Sequence, residues 1–370
     1  MSSQQTELLH LLALLETPGV GNQITRALIQ RFGSATEVCK SSRRLMETIP
    51  GIGPRVSEAV KNGLAFKQAE AELNWCLKEK VKVLDYRDAS FPQRLRQAPD
   101  FPSVLFFNGN TDLNSMRIIA VVGTRKASPY GLDLTRQFIL GLSAWNVMIV
   151  SGLAYGIDIA AHRAALEAGL PTIGVLGNGL SRVYPAAHKP VAEKMKAHGG
   201  LLTELFHEAE PDKENFPKRN RIVAGMVDAV VVIEAATNGG ALITADLAIG
   251  YNRDVFAFPG RVTDAFSSGC NALIKSNKAG LLTSSEDLLE ALAWTSGEET
   301  NQNKQLLLFP ELSDDEQYVF DFLSPSNQLG IDELALQTVF SLSKLSAVLL
   351  ALELKGLVRA LPGKYYLRTA

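Results

Sequence analysis

The feature that most limits the fold of this chain is an alternation of short apolar runs with longer segments of helical spacing between residues 81 and 292. The apolar runs predict strands at 82–85, 104–107, 118–122, 147–150, 172–176, 230–233 and 255–258. Most of the intervening segments, such as 130–144 and 157–168, are long enough for a crossover helix. The alternation therefore predicts an α/β fold, with a parallel sheet covered by helices on both faces.

Glycine and polar residues follow several of these predicted strands, in runs at 123–126, 151–158, 177–179 and 238–240. Ligands of such sheets bind beyond the carboxyl ends of the strands, so these runs predict one site at the mouth of the sheet. The run at 151–158 leads into a predicted helix. Its glycines are suited to presenting N–H groups to a phosphate, and equally to tight packing between strand and helix.

A cluster of cations begins another predicted helix, where positions 218–221 read Lys-Arg-Asn-Arg. The first N–H groups of a helix have no partner and attract anions, and arginine offers a planar fork that suits phosphate or base edges. A charge run is also typical of a solvated helix face. Together with Arg125 and Lys126 at a neighbouring strand end, the cluster suits a polyanion backbone better than one compact nucleotide.

Two further regions flank this core. Residues 1–80 have helical periodicity and contain two glycine hairpins, at 17–22 and 49–54, that are similar to the helix-hairpin-helix element. Such a domain either holds a DNA phosphate or serves only as a packing module. The core is predicted at 81–295, and the polar stretch 296–313 is predicted to be a linker.

Residues 314–370 have the pattern of a winged helix, with three helices at 316–323, 331–337 and 343–355 before a hairpin around Pro362-Gly363. The third helix carries only Lys344 and Lys355 as cations, so we favour protein docking or core packing over reading of a DNA groove. A sequence-specific regulator that acts through this domain is a further hypothesis, and it predicts selective duplex binding.

Charge and composition limit the classes of function that this chain can have. The net charge is −2 and the pI is about 6.3, so any nucleic-acid binding must come from a local patch. The cysteines, Cys39, Cys76 and Cys270, have no Cys-x-x-Cys spacing, which indicates a reducing compartment and no structural zinc. The apolar run at 8–15 is too short to span a membrane. We expect a cytoplasmic protein without cofactor, metal or membrane attachment.

The enzyme motifs expected on such a sheet are missing. The chain has neither Gly-x-Gly-x-x-Gly nor a P-loop. Glu234 with the run 238–244 has a faint likeness to enzymes that split nucleotide N-glycosidic bonds, but Leu247 stands where those enzymes carry a glutamate. Asp158 and His162 lie four positions apart and are interpreted as a helix-orienting pair rather than a general base. We predict a protein that is not an enzyme, with a nucleotide-binding hydrolase of a related fold as the alternative.

Taken together, the motifs resemble those of the DNA-processing protein A (DprA/Smf) family. The matching runs are 120–128 with Tyr130-Gly131, 150–158 with Ala161-His162, Tyr184-Pro185, 216–221, 238–245, and 258–260 with 269–274. They follow one another in order across 81–292, and the division into three parts also agrees.

The resemblance implies an extended Rossmann-like core that binds single-stranded DNA and forms a homodimer. It also implies that the protein protects incoming single strands and loads the RecA recombinase onto them during natural transformation. The residues predicted to bind DNA are Gly123, Arg125, Lys126, Ser151, Gly152, Gly156, Lys189, Phe216, Arg219, Asn220, Arg221, Gly239 and Gly240.

One departure from the family pattern affects this set. Family members often have Tyr-Pro-Lys-Glu-Asn, and here Ala186 occupies the lysine position, so either Lys189 replaces that cation or the phosphate contact is lost. Phe216 and Tyr155 are the candidates for base stacking. From the sequence, Arg125→Ala and Arg219→Ala are both expected to weaken single-strand binding at an unchanged melting temperature.

Overall fold

The computed structural model of the protein describes residues 3–62, 65–294, 312–323, 329–338, 340–355, 357–361 and 365–368. The chain divides into two compact units, Met1–Trp294 and Thr295–Ala370. A finer boundary near residue 80, between a helical domain and the core, stays a prediction. The predicted linker lies outside the described residues except for its last two positions, 312 and 313.

The N-terminal part of the first unit is helical, as its apolar periodicity predicts. Its helices are α1 (Ser3–Glu16), α2 (Asn22–Phe32), α3 (Ala35–Lys40), α4 (Arg43–Met46), α5 (Pro54–Asn62) and α6 (Phe66–Lys78). Leu11, Leu28 and Met46 are fully buried between them. The same apolar cluster includes Val104 and Phe106 of the neighbouring sheet, so these helices pack directly against one end of the core.

The helix that follows the first glycine hairpin, α2, takes part in this packing. The guanidinium of Arg26, on the helix that follows the hairpin, lies 4.0 Å from the centroid of the Phe101 ring. It also donates hydrogen bonds to the carbonyl oxygens of Phe101 and Pro99. A cation held in this way is engaged by the protein itself, which favours the packing role for the first hairpin.

The described residues of the core form a nine-stranded sheet in the order β1-β2-β6-β5-β4-β3-β7-β8-β9. The strands are β1 (Lys82–Asp85), β2 (Val104–Gly109), β3 (Ile118–Val122), β4 (Met148–Ser151), β5 (Thr172–Val175), β6 (Gly199–Thr203), β7 (Ala229–Val232), β8 (Asp254–Ala257) and β9 (Gly280–Leu281). Neighbouring strands are parallel throughout the part β6-β5-β4-β3-β7-β8-β9. At the other edge, β2 pairs antiparallel with β6 and β1 pairs antiparallel with β2. The mostly parallel sheet confirms the predicted fold class.

The predicted strands are all present, with small shifts at their ends, and two strands were missed. Strand β6 begins with two glycines, which have low strand propensity, and β9 is only two residues long. Along β3, Ile119 and Val121 face one apolar cluster while Ile118, Ala120 and Val122 face the other. Burial on both faces explains why these strands appear as continuous apolar runs.

Helices cover both faces of this sheet. They are α7 (Gln93–Arg96), α8 (Pro129–Gly141), α9 (Ile157–Glu167), α10 (Lys189–Ala197), α11 (Asn215–Gly225), α12 (Gly240–Gly250), α13 (Ser268–Lys275) and α14 (Ser285–Ala291). The cation cluster lies within the first two turns of α11, as its sequence predicts. Strands β3, β4 and β7 are neighbours in the sheet, so the loops after their carboxyl ends meet.

The second unit contains α15 (Asp314–Phe322), α16 (Ile331–Thr338) and α17 (Leu342–Leu354). A small antiparallel sheet accompanies them, in the order β10 (Leu329–Gly330), β12 (Tyr365–Arg368) and β11 (Val358–Leu361). This arrangement agrees with the predicted winged helix and adds the short strand β10, which the sequence did not indicate. The turn predicted at Pro362-Gly363 lies outside the described residues.

Among the described helices, none is by itself both long and apolar enough to cross a bilayer. The bent pair Ile331–Thr338 and Leu342–Glu353, with an angle of 109° between its halves, meets the length and composition criteria only when both are counted together. In the second unit, these helices bury Leu334, Leu345 and Leu349 against one another.

Candidate nucleic-acid interface

A polar cavity of about 330 Å³ opens at the carboxyl ends of β3, β4 and β7. The predicted residues that line it are Gly123, Arg125, Lys126, Gly152, Arg219, Asn220, Gly239 and Gly240. They come from four separate loops or helix starts, which the parallel sheet brings to one edge. The cavity therefore lies where the strand-end glycine runs predict a binding site.

Arg219 forms the floor of this cavity and is only 6% exposed. Its Nη1 donates to the carbonyl oxygen of Gly152 at 2.6 Å and to that of Val175. A side chain at Gly152 would begin within 2.5 Å of the guanidinium, so the glycine makes room for this arginine. Burial lowers the pKa of Arg219 to about 10, which still leaves it charged at neutral pH.

One end of the Arg219 guanidinium stays available to a ligand. Within the part of the chain that the structure describes, Nη2 makes no hydrogen bond, and Nε donates to Asn220 Oδ1 at 3.2 Å. A buried, charged donor that borders a cavity is suited to a charge-assisted hydrogen bond with an anion.

The backbone of the 151–158 run has a different use from the one predicted. The N–H groups of Gly152 and Ala154 donate to Asp158 Oδ2, at 3.2 and 3.4 Å. Gly156 has a φ of 76°, and the N–H of the next residue, Ile157, donates to the Thr124 carbonyl. Burial raises the pKa of Asp158, while the nearby Arg219 opposes that rise. Asp158 thus occupies the N–H of Gly152, one of the residues predicted to bind DNA.

Helix α12 supplies an alternative set of N–H groups. Gly239 is its N-cap residue with extended backbone (φ −78°, ψ 148°), and no acidic residue lies in the first turn. The first N–H groups of a helix lack intrahelical partners, and Gly240 and Ala241 both line the cavity. The positive end of α12 therefore faces the same space as Arg219.

The rim of the cavity combines exposed cations with aromatic rings. Arg125 and Lys126 are exposed and form no ion pair with the described residues. The Arg125 guanidinium lies 5.5 Å from the centroid of the Phe216 ring. The centroid of the Phe216 ring is 5.7 Å from that of the Tyr184 ring, and Tyr184 is 46% exposed. Tyr184 belongs to a motif that the sequence singled out, but its role as a ring beside Phe216 was missed.

The other predicted residues lie outside the cavity lining. Ser151 is fully buried, and its hydroxyl donates to the Val121 carbonyl at 2.6 Å. Arg221 forms an ion pair with Glu204. Lys189 is exposed at the start of α10, and Tyr155, the second stacking candidate, is 51% exposed with its ring 4.9 Å from His188. Their assignment to DNA binding stays a prediction.

Asp158 and His162 do not pair with each other in this region. His162 is fully buried and its Nδ1 lies 2.7 Å from the Thr172 hydroxyl oxygen, while Asp158 is engaged by backbone N–H groups. Burial lowers the pKa of His162 to about 3. Over the described residues, no three or more His, Cys, Asp or Glu side chains lie together in an arrangement that could hold a metal ion.

Comparisons with known proteins find matches over both units of the chain. A family model described as DNA recombination-mediator protein A matches residues 82–293, and a DprA winged helix domain model matches residues 309–364. Protein Smf of Escherichia coli K12 is 36% identical over 310 residues, which cover 81% of this chain and 80% of that protein.

Two solved structures are also similar. The X-ray structure of DNA processing protein A from Streptococcus pneumoniae has a TM-score of 0.65 and 34% identity, and the match covers 76% of this chain and 97% of that one. The DNA processing protein A of Helicobacter pylori, solved to explain its single-stranded DNA binding mode, has a TM-score of 0.53 and 27% identity over 58% of this chain and 96% of that one. The chain therefore belongs to the DNA recombination-mediator protein A family, the family of DprA and Smf.

Proposed function

We propose that this protein binds single-stranded DNA at the cavity above β3, β4 and β7, protects the strand, and loads the RecA recombinase onto it during natural transformation. The observation that carries the proposal is the convergence of Arg219, Asn220, Arg125 and Lys126 with the N-terminus of α12 on one polar cavity. The single-stranded DNA binding mode described for the Helicobacter pylori relative supports the same ligand.

In this proposal, one phosphate enters the cavity and meets Nη2 of Arg219 and the first N–H groups of α12. The backbone on either side runs past the exposed Arg125 and Lys126. Bases then rest on the rings of Phe216 and Tyr184, which lie together at the rim. Stacking on aromatic rings contributes about 1–3 kcal/mol per base and needs bases that are free of a duplex, so it favours single strands.

The alternative, a nucleotide-binding hydrolase, has weaker support. Asp158 borders the cavity, but its oxygen accepts hydrogen bonds from the Gly152 and Ala154 backbone, and His162 is bonded to Thr172 inside the core. Incubation with nucleoside monophosphates, followed by chromatography, separates the two functions. We expect no released base, and a released base would favour the hydrolase.

We further propose that the protein acts in the cytoplasm as a homodimer. Ile249 on α12 and Leu281 on β9 are 38% and 51% exposed, and β9 is the last strand of the sheet that the described residues form. A sheet edge with apolar side chains is suited to self-association. Light scattering of the parent and of Leu281→Arg tests this surface. The parent should have twice the mass of the variant, and equal masses would reject the surface.

The decisive experiment on DNA binding is fluorescence anisotropy with single-stranded and duplex oligonucleotides at two salt concentrations. The parent should prefer single strands, and its affinity should fall with salt because each phosphate contact releases counterions. Arg125→Ala should bind more weakly and with a smaller salt dependence. Binding that responds to neither salt nor the substitution would reject the proposal. Recombinase loading is then tested by the rate of RecA filament growth on protein-coated single strands.

A further inference from the structure

The loop that carries Arg125 and Lys126 is held at both of its ends by one residue, Glu234. The Thr124 N–H donates to the Glu234 carbonyl oxygen at 2.7 Å. Four residues later, the Ser128 N–H donates to Oε2 at 2.9 Å and the Ser128 hydroxyl donates to Oε1 at 2.5 Å. The loop of 124–128 is therefore closed by a residue that follows the neighbouring strand, β7.

We infer that Glu234 is a positioning residue for DNA binding, which fixes the loop of 124–128 so that Arg125 and Lys126 face the bound strand. The inference rests on the proposed function. If the loop were not held, its backbone and its two long cationic side chains would lose conformational freedom on binding DNA. A loop that is already fixed before binding reduces this entropic cost. Glu234 would thus contribute to affinity without touching DNA.

The environment of Glu234 favours positioning over direct contact with a ligand. The residue is only 6% exposed, and both of its carboxylate oxygens already accept hydrogen bonds from Ser128. A carboxylate would also repel a phosphate. Ser128 is the N-cap of α8 and its hydroxyl accepts from the Gly131 N–H at 3.0 Å, so the loop is joined through Glu234 to a fixed helix start.

A purely structural role for Glu234 predicts a loss of stability alone, so the test must report on Arg125 itself. In the full chain, Glu234→Ala removes the two side-chain bonds to Ser128 and keeps the backbone bond to Thr124. The salt dependence of binding to a labelled oligo-dT should fall, with the slope of log K against log salt smaller by about 0.7 to 1.4, the equivalent of one or two phosphate contacts. Glu234→Gln keeps an acceptor and a donor for Ser128 and should retain most of the parental slope.

A double-mutant cycle gives the sharper measurement. If Glu234 acts by placing Arg125, then Arg125→Ala should weaken binding much less in the Glu234→Ala background than in the parent, because residues that act together are not additive. Glu167→Ala is the matched control, since it removes a surface carboxylate that pairs with Arg136 away from the cavity. The effects of Glu167→Ala and Arg125→Ala should add.

Additive effects of Glu234→Ala and Arg125→Ala, or a parental salt slope in a folded Glu234→Ala protein, would overturn the inference while leaving the proposed function in place. An Arg125→Ala variant with parental single-strand affinity would instead reject the proposed function, and the inference with it. If Glu234→Ala does not fold, Ser128→Ala removes the hydroxyl bonds to Glu234 Oε1 and to the Gly131 N–H, and it keeps the bond from the Ser128 N–H to Oε2. It should give a smaller loss of the same sign and the same lack of additivity with Arg125→Ala, and additivity there would also reject the inference.

Discussion

At the scale of the residue, the arginines predicted to share one role differ in their surroundings. Arg125 is exposed, whereas Arg219 is buried and donates to the carbonyl oxygens of Gly152 and Val175. Arg221, two positions further on, is engaged by Glu204. The equal behaviour expected of Arg125→Ala and Arg219→Ala from the sequence therefore needs revision, because only one of these side chains is part of the core.

We predict that Arg219→Ala lowers both single-strand affinity and stability, while Arg125→Ala lowers affinity alone. Loss of Arg219 leaves the buried carbonyl oxygen of Val175 and the partly buried one of Gly152 without a charged donor, at a cost of about 2–4 kcal/mol in the free energy of unfolding. An exposed side chain such as Arg125 should change that free energy by less than about 0.5 kcal/mol. Urea denaturation of both variants measures the difference, and equal stabilities would contradict it.

A second prediction at this scale concerns Glu7, which joins α1 to the start of α3. Burial alone would raise the pKa of Glu7, but hydrogen bonds from Thr36, Ala35 and Arg87 lower it to about 2. A carboxyl whose pKa is lower in the folded state than its ordinary value of 4.5 stabilises the fold above pH 4.5, and that stabilisation is lost as the pH falls towards 2.

Glu7→Gln should therefore reduce the free energy of unfolding by about 1–3 kcal/mol at pH 7, since hydrogen bonds to a charged group are lost. The difference between parent and variant in the free energy of unfolding should become smaller as the pH falls from 4.5 to 2. Thermal unfolding across this range measures it, with Glu37→Gln, at an exposed ion pair on α3, as the control. A gap that is independent of pH would show that the charge on Glu7 is not the source of the stability.

At the scale of the element, α17 has few side chains that are suited to reading a DNA groove. Lys344 of α17 pairs with Asp315, and Lys355, the C-cap residue of α17, pairs with Glu316. Both partners lie near the start of α15 in the second unit. Leu342 and Leu350 are 52% and 57% exposed on α17. This composition agrees with the preference, drawn from the sequence, for protein docking over groove reading.

We accordingly predict that Lys344→Ala leaves the affinity of the full chain for duplex DNA unchanged within a factor of about two, because an exposed ion pair contributes little and this cation is already neutralised. The comparison is made by anisotropy at low salt, where electrostatic contributions are largest. A marked loss of duplex affinity would instead support the regulator hypothesis for this domain.

At the scale of the whole molecule, the cavity, its aromatic rim and the bonds of Glu234 to the loop of 124–128 all lie in the unit Met1–Trp294. We predict that a chain ending at Trp294 keeps the single-strand preference and salt slope of the parent, because every proposed phosphate contact remains. Anisotropy of the shortened chain tests this, with circular dichroism as the check on folding. A smaller salt slope in a folded, shortened chain would place phosphate contacts in the second unit.

Local periodicity and glycine at strand ends were enough to predict the kinds of element, the parallel sheet and the edge at which the candidate site lies. Apolar runs such as 118–122 and 229–232 are sufficient to identify buried strands. Strand β6 was missed because it begins with glycine and so has a poor local strand propensity. Its pairing with β5 and β2 outweighs that propensity in the folded chain.

The polar groups that remain available to a ligand became evident only in the folded chain. Arg26 is held by Phe101, Arg221 by Glu204, and the Gly152 N–H by Asp158, whereas the start of α12 stays open. Each of these outcomes is a competition between partners on different elements. A linear pattern records which groups a chain carries, but their engagement depends on distances that arise only when the sheet brings those elements together.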